Sequence, residues 1–402
     1  MQVIVKITRY QITKMFNTPI KSLKNEFKLR YLFNGLSYTE QDRNYYEKGF
    51  DYKNKEFYEN ILNNKSDFIK IDHDMLNLSN FKFYIQVIEQ FCEKYNIEYY
   101  LKWEIVNKKL TNSQKSISIL DGHIDLALHI LNNSVNEVIY FYADNFNQLI
   151  EKMFNFRGKL QFISEFSPIK NMNLKGENVL LSELASGIFI HEVVGHLSES
   201  DLLVGKQNLI NDLINKKINN ELTVIDDGSI MSSGWTPVDD ELTNSEKTTL
   251  IKSGKWHKFL HSNYTSELFN THSTGNCRIS YPEFKPQVRM TNLVIDKGST
   301  DLDLLLKKND KFIFIDSFST CYGFRKIHIV PNRSYYYQNG NLEPVRINEL
   351  IIDAYDILGK IIYVGNKDDI IQSTLTGCKK FSKITLPVSI RSPKLFFESF
   401  IS

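Results

Sequence analysis

The segment Gly187-Ile188-Phe189-Ile190-His191-Glu192-Val193-Val194-Gly195-His196 joins an apolar run to two imidazoles and a carboxylate. The stretch from Val179 to Ile190 is apolar enough to predict a buried helix leading into the motif. Polar groups carried into such surroundings need partners. His-Glu-x-x-x-His supplies two good zinc ligands and, beside the first, a carboxylate placed to take and return a proton. In the more familiar H-E-x-x-H helix the histidines lie four residues apart and share a face. Here they are five residues apart, which on a regular α-helix separates them by roughly 140°. The spacing therefore predicts a local irregularity at Val194-Gly195-His196, either a π-bulge or a helix end, with Gly195 freeing the backbone to make it.

A catalytic zinc usually takes three protein ligands and keeps one position open, so a third ligand must come from elsewhere. His257, His261 and His272 precede the Gly275-Asn276 turn, and Glu199, Asp201, Asp226 and Asp227 are acidic options. Cys378 sits in Thr376-Gly377-Cys378-Lys379-Lys380, where the neighbouring lysines favour the thiolate. The other cysteines are Cys92, Cys277 and Cys321, and no two of the four form a C-x-x-C pair, which excludes a zinc ribbon or thioredoxin-like motif.

Outward from the motif, the chain reads as α+β: a small two-layer α/β N-terminal domain followed by a β-rich C-terminal domain with one chemically loaded helix. Residues 1–80 are left unassigned; strand-like Val3-Ile4-Val5 gives way to polar, aromatic-rich segments that suggest several short helices. Phe83, Ile85, Val87, Ile88, Phe91 and Cys92 then predict a helix ending near Tyr95-Asn96. Strands are predicted over 98–106, over 116–130 with a hairpin turn near Asp121-Gly122, and over 137–142. Asp144-Asn145 caps a helix running through Leu149, Ile150, Met153 and Phe154. Residues 81–156 form this unit, 157–176 a connector, and 177–402 the C-terminal domain, where strands dominate beyond Leu222 and Asn339-Gly340 marks a tight turn.

Composition removes several function classes. Lys and Arg total 49 against 47 Asp and Glu across 402 residues, and no basic patch or stripe of the kind nucleic-acid binding uses is present. No apolar run approaches the roughly 20 residues of a membrane span. The start, Met1 to Lys6, is too short and polar for a secretory h-region. The expectation is a cytoplasmic protein with reduced thiols and no nucleic-acid or membrane partner.

The segment His191-Glu192-Val193-Val194-Gly195-His196-Leu197-Ser198-Glu199-Ser200-Asp201 resembles the signature of the TldD/PmbA metallopeptidases, and of the TldD-like, histidine-bearing subunit in particular. The likeness continues through Val224-Ile225-Asp226-Asp227-Gly228, Val238-Asp239-Asp240-Glu241, Ser273-Thr274-Gly275-Asn276-Cys277-Arg278 and Arg289-Met290-Thr291-Asn292. It covers about residues 177–402, and residues 81–156 look like a reduced form of the family's N-terminal domain. The resemblance implies Zn2+ held by His191, His196 and a cysteine near the C-terminus, here Cys378, with Glu192 as catalytic base. Cys321 is the reserve ligand, and Cys277 packs beside Asn276. The family's cysteine is followed by glycine, whereas Lys379-Lys380-Phe381 follows here.

The resemblance also implies a zinc-dependent peptidase acting on unfolded or unstructured peptides, including precursors of ribosomally made products. It implies a homodimer or a heterodimer with a metal-free sister subunit, and a substrate groove shaped by Gly275, Asn276 and Arg278. The competing reading is a catalytically inactive peptide-binding or scaffold subunit on the same fold. A regulator of protein or DNA, suggested by the family's association with DNA gyrase, finds no support in the charge distribution.

Overall fold

The computed structural model describes the chain except residues 1, 34–37, 50, 52–58, 62, 64, 77, 132–133, 281–285, 302–304, 307, 381–384 and 401–402. The fold is mixed α+β. Its first half is a sheet of seven strands: β1 (Gln2–Met15), β2 (Lys21–Phe33), β3 (Tyr38–Gly49), β4 (Phe68–Lys70), β5 (Glu98–Thr111), β6 (Ser116–Leu131) and β7 (Asn136–Ala143). The order is β3-β2-β1-β5-β6, with β4 and β7 sharing the outer edge of β6.

Residues 2–49 thus supply three long strands where the sequence suggested short helices. Most buried residues of β1 and β2, such as Val3, Val5, Ile7, Phe27 and Leu29, alternate along one side, Ile12 is buried on the other, and β3 is exposed over residues 40–49. Such strands carry little apolar alternation and are held mainly by their ladders. A second correction falls on Asp121-Gly122. β6 runs straight through this pair, and Gly122 is needed for close approach, because a Cβ there would lie 2.7 Å from Ile71 Cγ1 and 2.9 Å from Met75 Sδ.

Helices α1 (Phe81–Tyr95), α2 (Phe146–Asn155) and α3 (Arg157–Ser164) cover one face of the sheet. Trp103, Ile105, Ile124, Leu126 and Leu128 pack there against Ile85, Ile88, Leu149 and Met153. α2 starts as predicted, with the Asn145 side chain accepting from Gln148 N–H. The other face lies on the C-terminal half, where Val5, Ile7, Leu29 and Tyr31 share a core with Val238, Leu242 and Ile279.

The C-terminal half is built on a twelve-stranded sheet whose centre is the strand Leu386–Phe397. That strand pairs in parallel with Asn292–Ile295, and antiparallel with Val179–Leu181 and with the long strand Ile361–Cys378. The predicted buried helix is α4 (Glu183–Ile190); the Ser182 hydroxyl caps it, accepting from Ala185 N–H at 3.0 Å. α4 packs closely on the sheet because Gly187 admits Ile390 and Ile371, which a Cβ would meet at 2.9 and 3.0 Å. Among the described residues no helix is long and apolar enough to cross a membrane.

Candidate metal centre

α4 does not stop at Ile190. It continues as a π-turn over His191–Gly195, in which His196 N–H donates to the His191 carbonyl, and then tightens to a 3-10 turn at His196–Ser198. One extra residue per turn absorbs the angular excess of the five-residue spacing and returns both histidines to one side. Their ring centroids are 5.1 Å apart and the planes nearly perpendicular at 87°. Gly195 serves a different purpose from the one its sequence position suggested. Its backbone is ordinary right-handed helix (φ −56°, ψ −57°), but any Cβ would overlap the Met290 sulfur. The glycine is there for close packing rather than backbone freedom.

Cys378, the last residue of the strand Ile361–Cys378, enters from the opposite side. Its Sγ lies 3.4 Å from His196 Nε2, and ligand atoms of His191, His196 and Cys378 all fall within 4.8 Å of one another. All three side chains are buried. His191 Nδ1 is buried without a hydrogen-bond partner in the structure as described. Two imidazoles and one thiolate form a donor set suited to a borderline-soft divalent ion, so these residues fit zinc. Burial alone would push the Cys378 thiol up, but the neighbouring His196 and His191 hold it well below the usual thiol range.

Glu192, half-buried on the next residue, has Oε2 3.8 Å from His196 Nε2. Burial pushes its carboxyl up, against the pull of His191 and His196. That direction suits a group which must accept a proton near neutrality.

Behind His196 lies a buried ionic support. Burial would raise the Glu199 carboxyl, but Lys380 and then His196 hold it well below the ordinary value. Its Oε2 is 3.0 Å from His196 Nδ1 and 3.0 Å from Lys380 Nζ, while Oε1 accepts from Met290 N–H at 3.3 Å. Lys380 also donates to Asp201 (2.6 Å) and to the Val288 carbonyl (2.8 Å). A carboxylate on the far nitrogen fixes the tautomer and direction of a ligating imidazole. For His196, burial is outweighed by Cys378 and Glu199, which push its pKa well above the usual imidazole value.

The remaining sequence candidates take other places. Glu199 orients His196 rather than joining the donor cluster. Asp201 pairs with Lys380; Asp227 accepts from Ser229; Asp226 accepts from Thr291 N–H, Thr291 Oγ1 and Asn276 Nδ2 at 2.7–2.8 Å. His261 packs against Phe269, His272 is an exposed partner of Glu246, and neither these nor His257 belong to the donor cluster. Cys321 stays outside it and Cys277 is buried in a short strand, its N–H on Asp239. Phe381 lies outside the described residues.

Gly275, Asn276 and Arg278, expected to shape a substrate groove, each make close contacts or hydrogen bonds within the chain. Gly275 holds φ +71° with Asn244 closing over it. Asn276 donates to Asp226 and to the Arg289 carbonyl, and the buried Arg278 guanidinium donates to the Met290 and Pro387 carbonyls. The polar atoms of Asn276 and Arg278 thus engage side chains and backbone carbonyls of the chain itself. Sequence reasoning missed Lys380, Arg289 and Met290; the lysine beside Cys378 was visible but gave no sign of its partner.

Comparison with known proteins shows the family of the chain. Residues 175–401 match the family model described as PmbA/TldA metallopeptidase C-terminal domain, and the chain belongs to that family. A Buchnera aphidicola (from Acyrthosiphon pisum) protein named metalloprotease TldD homolog is 31% identical over 55% of this chain and 47% of its own length. A Saccharolobus solfataricus zinc metalloprotease TldD homolog is 26% identical over 61% of this chain and 59% of its own. The chain therefore spans about half the length of these curated relatives. The crystal structure of TldE from Thermococcus kodakarensis superposes with a TM-score of 0.73, covering 99% of this chain and 95% of that one at 15% identity, a likeness of fold.

Proposed function

We propose that this chain is a zinc-dependent peptidase that hydrolyses unfolded or unstructured peptides. The convergence of His191, His196 and Cys378 with the Glu192 carboxylate alongside is the observation that carries the reading. The relatives' names, metalloprotease and zinc metalloprotease, support it. His191, His196 and Cys378 would hold the ion and leave one position open. When bound, zinc supplies Lewis acidity, acidifying water and polarising the scissile carbonyl. Glu192 takes the proton of the attacking water and delivers it to the departing amine. Glu199, fixed by Lys380, keeps His196 Nδ1 engaged so that Nε2 faces the site.

The working assembly is a homodimer or a heterodimer with a sister subunit of the same family, a reading supported by the fold shared with TldE. We place it in the cytoplasm, where thiols stay reduced. Zinc content and cleavage of an unfolded peptide, measured with and without the sister subunit, test the assignment. Stoichiometric zinc and cleavage lost in Glu192→Gln are expected; a zinc-free, inactive wild type under both conditions would leave a peptide-binding scaffold.

A further inference from the structure

The third donor stands just beyond a break in its strand's pairing with the sheet. Ile361–Cys378 pairs with Leu386–Phe397 as far as Ser373↔Val388 and next at Cys378↔Leu386. Five residues advance on one strand against two on the other, so residues 374–377 leave the ladder. The register up to Ser373 therefore does not dictate where the Cys378 sulfur falls.

A side chain from the N-terminal sheet takes over at that break. Asp125 of β6, fully buried, accepts from Ser373 Oγ at 3.0 Å and from Thr374 N–H at 2.9 Å through Oδ1. Its Oδ2 accepts from Thr374 Oγ1 at 2.5 Å. Both hydrogen-bonding groups of Thr374 that point at β6 thus end on one carboxylate. The Thr374 hydroxyl accepts in turn from Lys102 Nζ, and His123 Nε2 is 3.0 Å away. Lys102 sits directly across the ladder from Asp125, and Glu104 across from His123. Lys102 Nζ and His123 Nε2 are each 3.1 Å from Glu104 Oε2, so the buried charges compensate one another. Buried charge is costly unless paired and hydrogen-bonded; here it is spent at the point where the strand leaves its ladder.

We propose that Asp125 is a positioning residue for Cys378. By anchoring Ser373 and Thr374 it sets the start of the unpaired span and thereby the approach of the sulfur to His196. Arg289, which donates to the Cys378 carbonyl, fixes the other end. This inference rests on the metal-site reading above and adds that the N-terminal sheet completes the site.

The test loads the metal-free, full-length chain with Co2+ and reads two signals. The thiolate-to-cobalt charge-transfer band reports Cys378, and the visible d–d bands report the histidines. Asp125→Asn is expected to weaken the thiolate band strongly and lower Co2+ affinity about tenfold or more, with the d–d bands persisting. In a Cys378→Ser background the same change adds little, because Asp125 acts on the metal only through the placement of Cys378. Glu137→Gln, which opens the same interface at Arg333 away from this strand, leaves the band intact. If Asp125→Asn fails to fold, Thr374→Val, which removes only the hydroxyl contacts, is expected to reduce the band several-fold at about one contact's cost. A normal band in the variant that folds, or an equal loss in Glu137→Gln, overturns the inference alone. A wild type with no thiolate band overturns the metal-site reading and this inference together.

Discussion

His191 and His196 sit within one turn of a single helix, whereas Cys378 arrives from a strand end 182 residues beyond His196. The histidine pair is placed by local geometry: one π-turn, one glycine under Met290, one capped helix. The cysteine is placed by distant parts of the chain: Arg289, Gly377 pressed against the Leu386 backbone, and Asp125 from the other half of the molecule. A local device fails as a unit when its own residues change. A delivered ligand can be displaced from afar while the protein stays folded.

Substitutions at the donors have the largest expected effect. His196→Ala removes one of the paired imidazoles and is expected to abolish stoichiometric zinc, read by metal analysis of the purified chain. Cys378→Ser keeps the pair and is expected to retain zinc only weakly, costing more than the about 10–100-fold that follows loss of a residue behind a ligand. Retention of zinc at unchanged affinity would remove Cys378 from the site and with it the contrast between local and delivered ligands.

Glu199→Gln falls in that 10–100-fold range. It leaves every donor in place but removes the carboxylate charge from His196 Nδ1 and leaves the buried Lys380 with Asp201 as its ionic partner. Zinc affinity by chelator competition measures it. Gly195→Ala tests the packing role, since the added methyl meets Met290 and overpacking costs about 1–3 kcal/mol. Chemical denaturation should show the loss; an unchanged stability would mean that the helix and Met290 part freely.

The smallest effect sharpens the frame beneath both ligands. Burial pushes the Asp226 carboxyl up to about 6 from an ordinary 3.8. The folded chain thus binds this proton more tightly than the unfolded chain, and stability contributed by the group rises as pH falls from about 6 towards 3.8. Asp226→Asn removes that slope, so the stability of wild type minus variant should grow on acidification across this window. A difference that stays flat with pH would place the ordinary carboxylate value at Asp226.

The local half of the site was legible and the delivered half was not. An apolar run ending in His-Glu-x-x-x-His states both its helix and its misfit with a 3.6-residue turn, and the π-turn resolves that misfit. Cys378 was nominated through family resemblance, since nothing in Thr376-Gly377-Cys378 tells which partner lies across the fold. The hydrogen bonds of Asn276 and Arg278 were hidden for a related reason: polar residues at a turn look exposed until their buried acceptors are known. In the fold, α1 and α2 carried strong apolar periodicity, while β1 and β2 bury few residues and β3 is exposed over residues 40–49, which left little pattern. Asp121-Gly122 resembled a turn because close packing and chain reversal call for the same glycine.

The proposal is that His191, Glu192, His196 and Cys378 form one hydrolytic zinc centre. Glu192→Gln tests it most directly, with zinc content and cleavage of an unfolded peptide measured on the same preparation, in the presence of the sister subunit. The account predicts zinc bound as in wild type and cleavage reduced by about two orders of magnitude or more, the usual worth of a positioned general base. Wild-type cleavage in the variant would contradict it.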